Sequence, residues 1–216
     1  MTRSIVVPDL HGCFHFLEST LEQFSDRHLI FLGDFIHRGP ESRQTLQAVL
    51  ELAESGRATV LWGNHEHWAY TELKDLPLAD AREWCEEEGQ ALFKSYAGNF
   101  EELLEDMCVR LPRVARSYCV EGPMLCAHAA RPSFGSSADQ IFDEGYLWDR
   151  PEMGLHPLPL EFFPELRYSV HGHTVQGAPW VDLERDGVVY LDLGGWRTGE
   201  FCVWDAELEQ IILYQD

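Results

Sequence analysis

"HLIFLGDFIHRG", His28 to Gly39, decides how this chain folds. Its first half is a continuous apolar run that stops at Gly33, the signature of a strand buried on both faces. Its second half puts Asp34, His37 and Arg38 on one short loop. The same grammar recurs on either side. Upstream, "SIVV" (Ser4 to Val7) runs into Pro8 and Asp9, and Phe14, Leu17, Leu21 and Phe24 predict a helix by their three- and four-residue spacing. Downstream, Leu46, Val49, Leu50 and Ala53 mark a second helix that Gly56 closes, and "ATVLWGNHEH" (Ala58 to His67) is another strand broken by a glycine. Alternating strands and helices predict parallel βαβ units, whose functional groups collect in loops at the carboxyl ends of the strands.

From about residue 66 to residue 110 the pattern is helical and acidic, as in "EWCEEEG" and "EELLEDM". Either it is a solvated face, or it is a helical insert overhanging a site. After Pro112 the chain turns β-rich. "RSYCVEGPMLCAHAA" reads as two strands around a Glu121-Gly122-Pro123 turn, and "RYSVHGHT", "GVVYLDLGG" and "EFCVWD" are further strands. No repeat, linker or low-complexity tract divides the sequence, so residues 1–216 are expected to form one layered α/β domain.

The composition narrows the function. The 216 residues are 45% hydrophobic and 12% aromatic, which suits a packed domain rather than a disordered chain. A formal net charge of −21 argues against a nucleic-acid partner or an anionic membrane surface, since both would repel it. A phosphate-bearing substrate would have to be attracted locally, by metal ions or a few placed arginines. No segment approaches the roughly 20 apolar residues of a membrane span, and the N-terminus shows no signal-peptide pattern. The six cysteines form no C-x-x-C pair or framework spacing, so they are read as reduced thiols and the protein as cytoplasmic. The oligomeric state is not encoded in any pattern found.

Five strand ends carry one chemical theme: "PDLHG" (Asp9, His11), "GDFIHRG" (Asp34, Arg38), "GNHE" (Asn64, His65), "CAHAA" (His128) and "HGHT" (His171, His173). A single histidine at a strand end is more often structural than a ligand. Five ends presenting Asp, Asn or His share one physical explanation, a metal site. Oxygen and imidazole donors without a thiolate cluster suit Mn above all, with Fe, Zn, Co or Ni also acceptable. There are more donors than one ion needs. A carboxylate such as Asp34 can bridge two ions about 3.5–4 Å apart, the arrangement that serves phosphoryl transfer. Arg38 would then take phosphate oxygens in its planar fork.

The order D-x-H-G, G-D-x-x-x-R-G, G-N-H-E, H and G-H-T resembles the phosphoprotein phosphatase family of metallophosphoesterases, in particular its small bacterial and phage members. "LWDR" (Leu147 to Arg150) extends the resemblance, which covers nearly the whole chain. The resemblance implies a four-layer α/β/β/α sandwich. It implies two divalent ions, one held by Asp9, His11 and Asp34, the other by Asp34, Asn64, His128 and His173, with a bridging hydroxide as nucleophile. Arg38 and Arg150 would bind phosphate, with Asn64 alongside, and His65 would protonate the leaving group. The substrate implied is a phosphorylated serine, threonine or tyrosine of a protein.

One position departs from the pattern. Where the family's loop has a second aspartate, paired with the general-acid histidine, this chain has His37. A neutral imidazole can still hold His65 but brings no negative charge, so a weaker general acid is expected. "RGPES" (Arg38 to Ser42) also resembles the diadenosine tetraphosphate hydrolases of the same family, whose leaving group is a nucleotide phosphate. A dinucleoside polyphosphate is therefore the alternative substrate. His15, His28, His67 and His156 have no matching role, and Trp62 and Trp68 are expected to be packing residues.

Overall fold

The computed structural model describes residues 3–214. Its strands are β1 (Ser4–Val7), β2 (His28–Phe31), β3 (Ala58–Leu61), β4 (Ala115–Arg116), β5 (Tyr118–Glu121), β6 (Met124–Ala127), β7 (Tyr168–His171), β8 (Trp180–Asp182), β9 (Val188–Tyr190), β10 (Phe201–Asp205) and β11 (Gln210–Tyr214). The first sheet has the order β11-β10-β1-β2-β3-β4, and β1 to β4 run parallel. The second has the order β5-β6-β7-β9-β8, with β6, β7 and β9 parallel. In each sheet the parallel strands are adjacent, so their carboxyl ends lie along one edge of that sheet.

Side-chain alternation builds the layers. Ile5, Val7, Leu29, Phe31 and Val60 point from the first sheet into a cluster with helices α1 (Phe14–Gln23) and α2 (Ser42–Glu54), which contribute Phe16, Leu17, Leu46, Val49 and Leu50. Their neighbours Val6, Ile30 and Leu61 point the opposite way and meet Met124, Cys126, Tyr168, Val170 and Val189 of the second sheet. A period of two therefore lets each strand feed two cores. The far side of the second sheet, at Leu125 and Ala127, is covered by Tyr146, Leu147 and Leu166. The result is the expected α/β sandwich of two sheets. Its fourth layer is mostly irregular chain with short turns at Gly145–Trp148 and Pro151–Met153.

Between β3 and β4 lie α3 (Asn64–Leu73), α4 (Leu78–Glu86), α5 (Gln90–Ser95), α6 (Phe100–Leu104), a π-helical stretch Glu105–Arg110 and α7 (Leu111–Val114). Trp84, Cys85, Leu92, Tyr96, Leu103 and Met107 bury their side chains in the first core, while Glu86, Glu87 and Glu88 are exposed. The buried Asp106 is satisfied by Tyr96 Oη (2.9 Å), Gln47 Nε2 (2.8 Å) and Arg110 Nη1 (2.7 Å), which removes the penalty of a lone buried charge. The acidic character of this region is a solvated outer face over an apolar inner one.

Three edge strands, β4, β8 and β11, went unread in the sequence. The pair β10–β11 is an antiparallel hairpin, and β8 is only three residues long. All six cysteines are free of disulfides. Among the described residues, no helix is long and apolar enough to cross a membrane.

Candidate metal centre

The loops that follow β1, β2 and β3 are held against one another by their backbones. The N–H groups of Leu10 and His11 both donate to the Asp34 carbonyl, at 3.0 and 2.8 Å, and Gly12 N–H donates to the Phe35 carbonyl at 2.7 Å. Glycine is required where they touch. A Cβ on Gly63 would lie 2.1 Å from the Asp34 nitrogen, and one on Gly39 would lie 2.3 Å from the His11 carbonyl oxygen. His11, Asp34, His37, Arg38 and His173 all adopt left-handed φ values between 44° and 68°. Each such residue costs on the order of 1 kcal/mol or more, and persists only where its surroundings enforce it. Glu66 supplies much of that enforcement. Its buried carboxylate accepts the N–H groups of Asp34, Phe35 and Ile36 at 2.7, 2.8 and 3.0 Å.

These loops bring the expected donors together. His11, Asp34 and His65 form one group with ligand atoms within 4.8 Å of one another, and Asp34, His128 and His173 form a second. Asp34 belongs to both. The Asn64 amide oxygen lies 2.9 Å from His128 Nε2 and 3.0 Å from His173 Nδ1, and so faces the second group. Asp9 adjoins the first: its Oδ2 is 3.9 Å from His11 Nε2, and its carboxylate accepts the His173 N–H at 3.0 and 3.1 Å. Carbonyls orient the rings. His11 Nδ1 lies 3.0 Å from the Ile36 oxygen and His128 Nδ1 2.9 Å from the Leu32 oxygen. For His11 this puts the proton on Nδ1 and turns the Nε2 lone pair toward the cluster, while His128 faces the Leu32 oxygen with Nδ1 and the Asn64 oxygen with Nε2.

Electrostatics favour a bound cation. Burial, then repulsion from Asp192 and Asp34, pushes the Asp9 carboxyl above its ordinary range; burial, then Glu66, does the same to Asp34. Burial holds the His128 ring well below its ordinary value, and burial followed by the Arg38 charge lowers His11 to about 3. His173 is lowered to about 4 by burial and the neighbouring Arg150 charge. These rings are neutral ligands at pH 7. His11 Nε2 is buried without a hydrogen-bond partner. Crowded carboxylates, neutral imidazoles and an orphaned ring nitrogen are the donor set that a divalent metal ion satisfies.

Next to this cluster, His37, His65 and Arg38 form a chain. Arg38 Nη2 is 3.2 Å from His65 Nε2, and the two Nδ1 atoms of His37 and His65 are 2.8 Å apart. Arginine only donates, so His65 Nε2 must accept, and the His65 proton then sits on Nδ1 and points at His37. His37 consequently carries its own proton on Nε2, which is buried without a partner. Burial, then the charges of its neighbours, lowers His65 to about 2; burial, then Arg38, lowers His37 to about 4. Arg150 is exposed just beyond the short helix at Gly145–Trp148, near enough for its charge to bear on His173.

Not every strand-end histidine joins in. The strand β7 ends at His171 and the backbone turns left-handed at His173, so the two rings part. His171 instead bonds the Ala127 carbonyl and Ser169 Oγ, both at 2.9 Å. Trp68 packs on Trp84 at 5.3 Å as expected of a packing residue, but its other neighbour is the His37 ring at 5.8 Å. Three residues near the centre were not singled out from sequence. They are Glu66, the buried Asp192, and Trp196, whose ring lies under the Arg38 guanidinium. The fourth residue of "GNHE" was the available signal for Glu66; for Asp192 and Trp196 there was none.

Residues 2–210 match the family described as calcineurin-like phosphoesterase. The chain is 31% identical over 157 residues to serine/threonine-protein phosphatase 1 of Salmonella typhimurium, covering 68% of each protein. It is 41% identical over 61 residues to the symmetrical bis(5'-nucleosyl)-tetraphosphatase of Ralstonia nicotianae, a match that spans 28% of this chain and 22% of that protein. Among solved structures, a cold-active protein-tyrosine phosphatase from a psychrophilic Shewanella species superimposes with a TM-score of 0.64 at 15% identity, covering 98% of this chain and 80% of the other. The chain belongs to the calcineurin-like phosphoesterase family.

Proposed function

We propose that the protein is a metal-dependent phosphomonoesterase of the serine/threonine protein phosphatase type, acting on phosphorylated proteins. The observation that carries this reading is Asp34, one carboxylate common to two donor groups, with Arg38 and His65 beside them. In this reading Asp9, His11 and Asp34 hold one divalent ion, and Asp34, Asn64, His128 and His173 hold the other, manganese being the best match. When bound, such ions polarise a phosphate and lower the pKa of water near neutral pH. Arg38 binds the phosphate oxygens in a bidentate fork, and Arg150 adds a second positive charge. Once Arg38 engages phosphate it no longer donates to His65 Nε2, which is then available to carry the proton for the leaving oxygen. His37 keeps the His65 ring in place through the Nδ1 contact. Glu66 holds the backbone of Asp34, Phe35 and Ile36, and Ser42 Oγ accepts the His37 N–H, so the loop is held in place ahead of phosphate binding. We further propose that the segment at about 66–110 is a helical insert on a single domain.

One observation favours a second reading, hydrolysis of a dinucleoside tetraphosphate. The partner of His65 is a neutral imidazole rather than a carboxylate. A nucleotide phosphate leaves with less protonation than a serine alkoxide, so a weak general acid suffices. The discriminating experiment compares hydrolysis of a phosphoserine/phosphothreonine peptide with that of diadenosine tetraphosphate, using protein stripped of metal and reconstituted with manganese. Faster turnover of the peptide supports the first reading; faster turnover of the dinucleotide overturns it in favour of the second.

A further inference from the structure

The Arg38 guanidinium has an unusual set of neighbours for a cation in so acidic a protein. Asp34 and Asp192 both feel its charge, yet among the described residues no carboxylate lies within 4.0 Å of it. Its contacts are His65 Nε2 at 3.2 Å and the ring of Trp196, whose centroid lies 5.1 Å from Arg38 Cζ. Trp196 is 38% exposed, on the short helix Gly195–Thr198, and the Arg197 guanidinium sits 5.7 Å from the same ring.

The two ways of holding an arginine differ in what they leave free. A carboxylate holds it by its N–H edge and so competes with an incoming phosphate for the same donors. An aromatic face holds it through the plane of the guanidinium and leaves the in-plane N–H groups open. A long side chain with no partner would instead lose several rotamers on binding phosphate, an entropic cost that preorganisation avoids.

We propose that Trp196 is a positioning residue: it holds the Arg38 guanidinium by its face, so that the N–H fork is ordered yet available to the substrate phosphate. This rests on the reading of Arg38 as the phosphate-binding arginine. It adds that phosphate affinity is set in part by a tryptophan from the loop after β9, more than 150 positions from Arg38 in sequence.

A double-mutant cycle tests it. The constants to measure are KM for p-nitrophenyl phosphate and Ki for inorganic phosphate, in manganese-loaded protein, with manganese affinity followed separately by titration. Trp196→Ala is expected to raise both constants about two- to tenfold, the range of a partly exposed cation–π contact, while manganese affinity stays unchanged. Trp196→Phe should recover part of the loss, and Trp196→Glu should weaken phosphate binding more than Trp196→Ala because it occupies the fork. In the Arg38→Ala background, Trp196→Ala should change neither constant. Equal factors in both backgrounds would overturn the coupling while leaving Arg38 as the phosphate ligand. An unchanged Ki in Arg38→Ala alone would instead remove the phosphate role of Arg38, and this proposal with it.

Discussion

His37 and His65 face each other through their Nδ1 atoms at 2.8 Å, a histidine pair at the position where the resemblance led us to expect an aspartate and a histidine. The contact fixes the ring of His65 but adds no negative charge to favour its protonated form. His37→Asp would place a carboxylate there, stabilise the imidazolium and raise the His65 pKa. Because a general acid works only while protonated, the alkaline fall in kcat should then move to higher pH, and phosphopeptide turnover should gain relative to p-nitrophenyl phosphate. Superimposable pH–rate profiles for the two proteins would show that His37 does not tune His65.

The leaving group should decide how much His65 matters. General acids contribute roughly 10²- to 10⁴-fold where the leaving group is a poor one. His65→Asn should therefore cost about that much kcat on a phosphoserine peptide, and far less on p-nitrophenyl phosphate. A uniform loss on both substrates points to His65 acting as a ligand in the group with His11 and Asp34 rather than as the acid.

Glu66 ties three consecutive backbone N–H groups of the Asp34 loop. Glu66→Gln keeps the shape but replaces one acceptor oxygen by a donor, leaving a buried N–H group unsatisfied. Such a group costs about 1–3 kcal/mol, which for a domain of this size lowers Tm by about 2–12 °C. Calorimetry on the metal-free protein measures it. An unchanged Tm would mean the loop is held by its other contacts.

The stability of the metal-free protein should depend on pH with a definite sign. Burial raises Glu66 to about 7, and burial also raises Asp9 and Asp34. Between its ordinary and raised values each carboxyl binds more protons folded than unfolded, so stability falls as pH rises through that window. The site histidines, lowered to between about 2 and 4, work the other way, but only below their unfolded value near 6.5. From pH 6.5 to 8 the histidines no longer oppose the fall, which Glu66, raised to about 7, carries across neutrality. Metal-free protein should lose Tm over that interval, and saturating manganese should raise Tm and flatten the slope. Parallel slopes with and without manganese would contradict the placement of Asp9 and Asp34 around a cation.

Much of this was legible because parallel strands buried on both faces leave unbroken apolar runs, and their ends are marked by Gly33 and Gly63. The close backbone approach explains those glycines as well as the donors beside them. Long-range side-chain direction was not legible. His171 and His173 share a strand face on paper, but the left-handed turn at His173 separates them. Glu66 reads as one acid on an acidic helix, since its partners are backbone groups about 30 residues away. Trp196 follows β9 of the second sheet and Arg38 follows β2 of the first, so their contact depends on how the two sheets pack, which no local pattern encodes.

The most direct test of the dinuclear centre is manganese stoichiometry and exchange coupling by electron paramagnetic resonance, in the parent chain and in Asp34→Asn. Two coupled ions per chain, with the coupling abolished by Asp34→Asn, are the predicted result. A single uncoupled ion, or two ions whose coupling survives Asp34→Asn, would contradict a centre built on a shared Asp34.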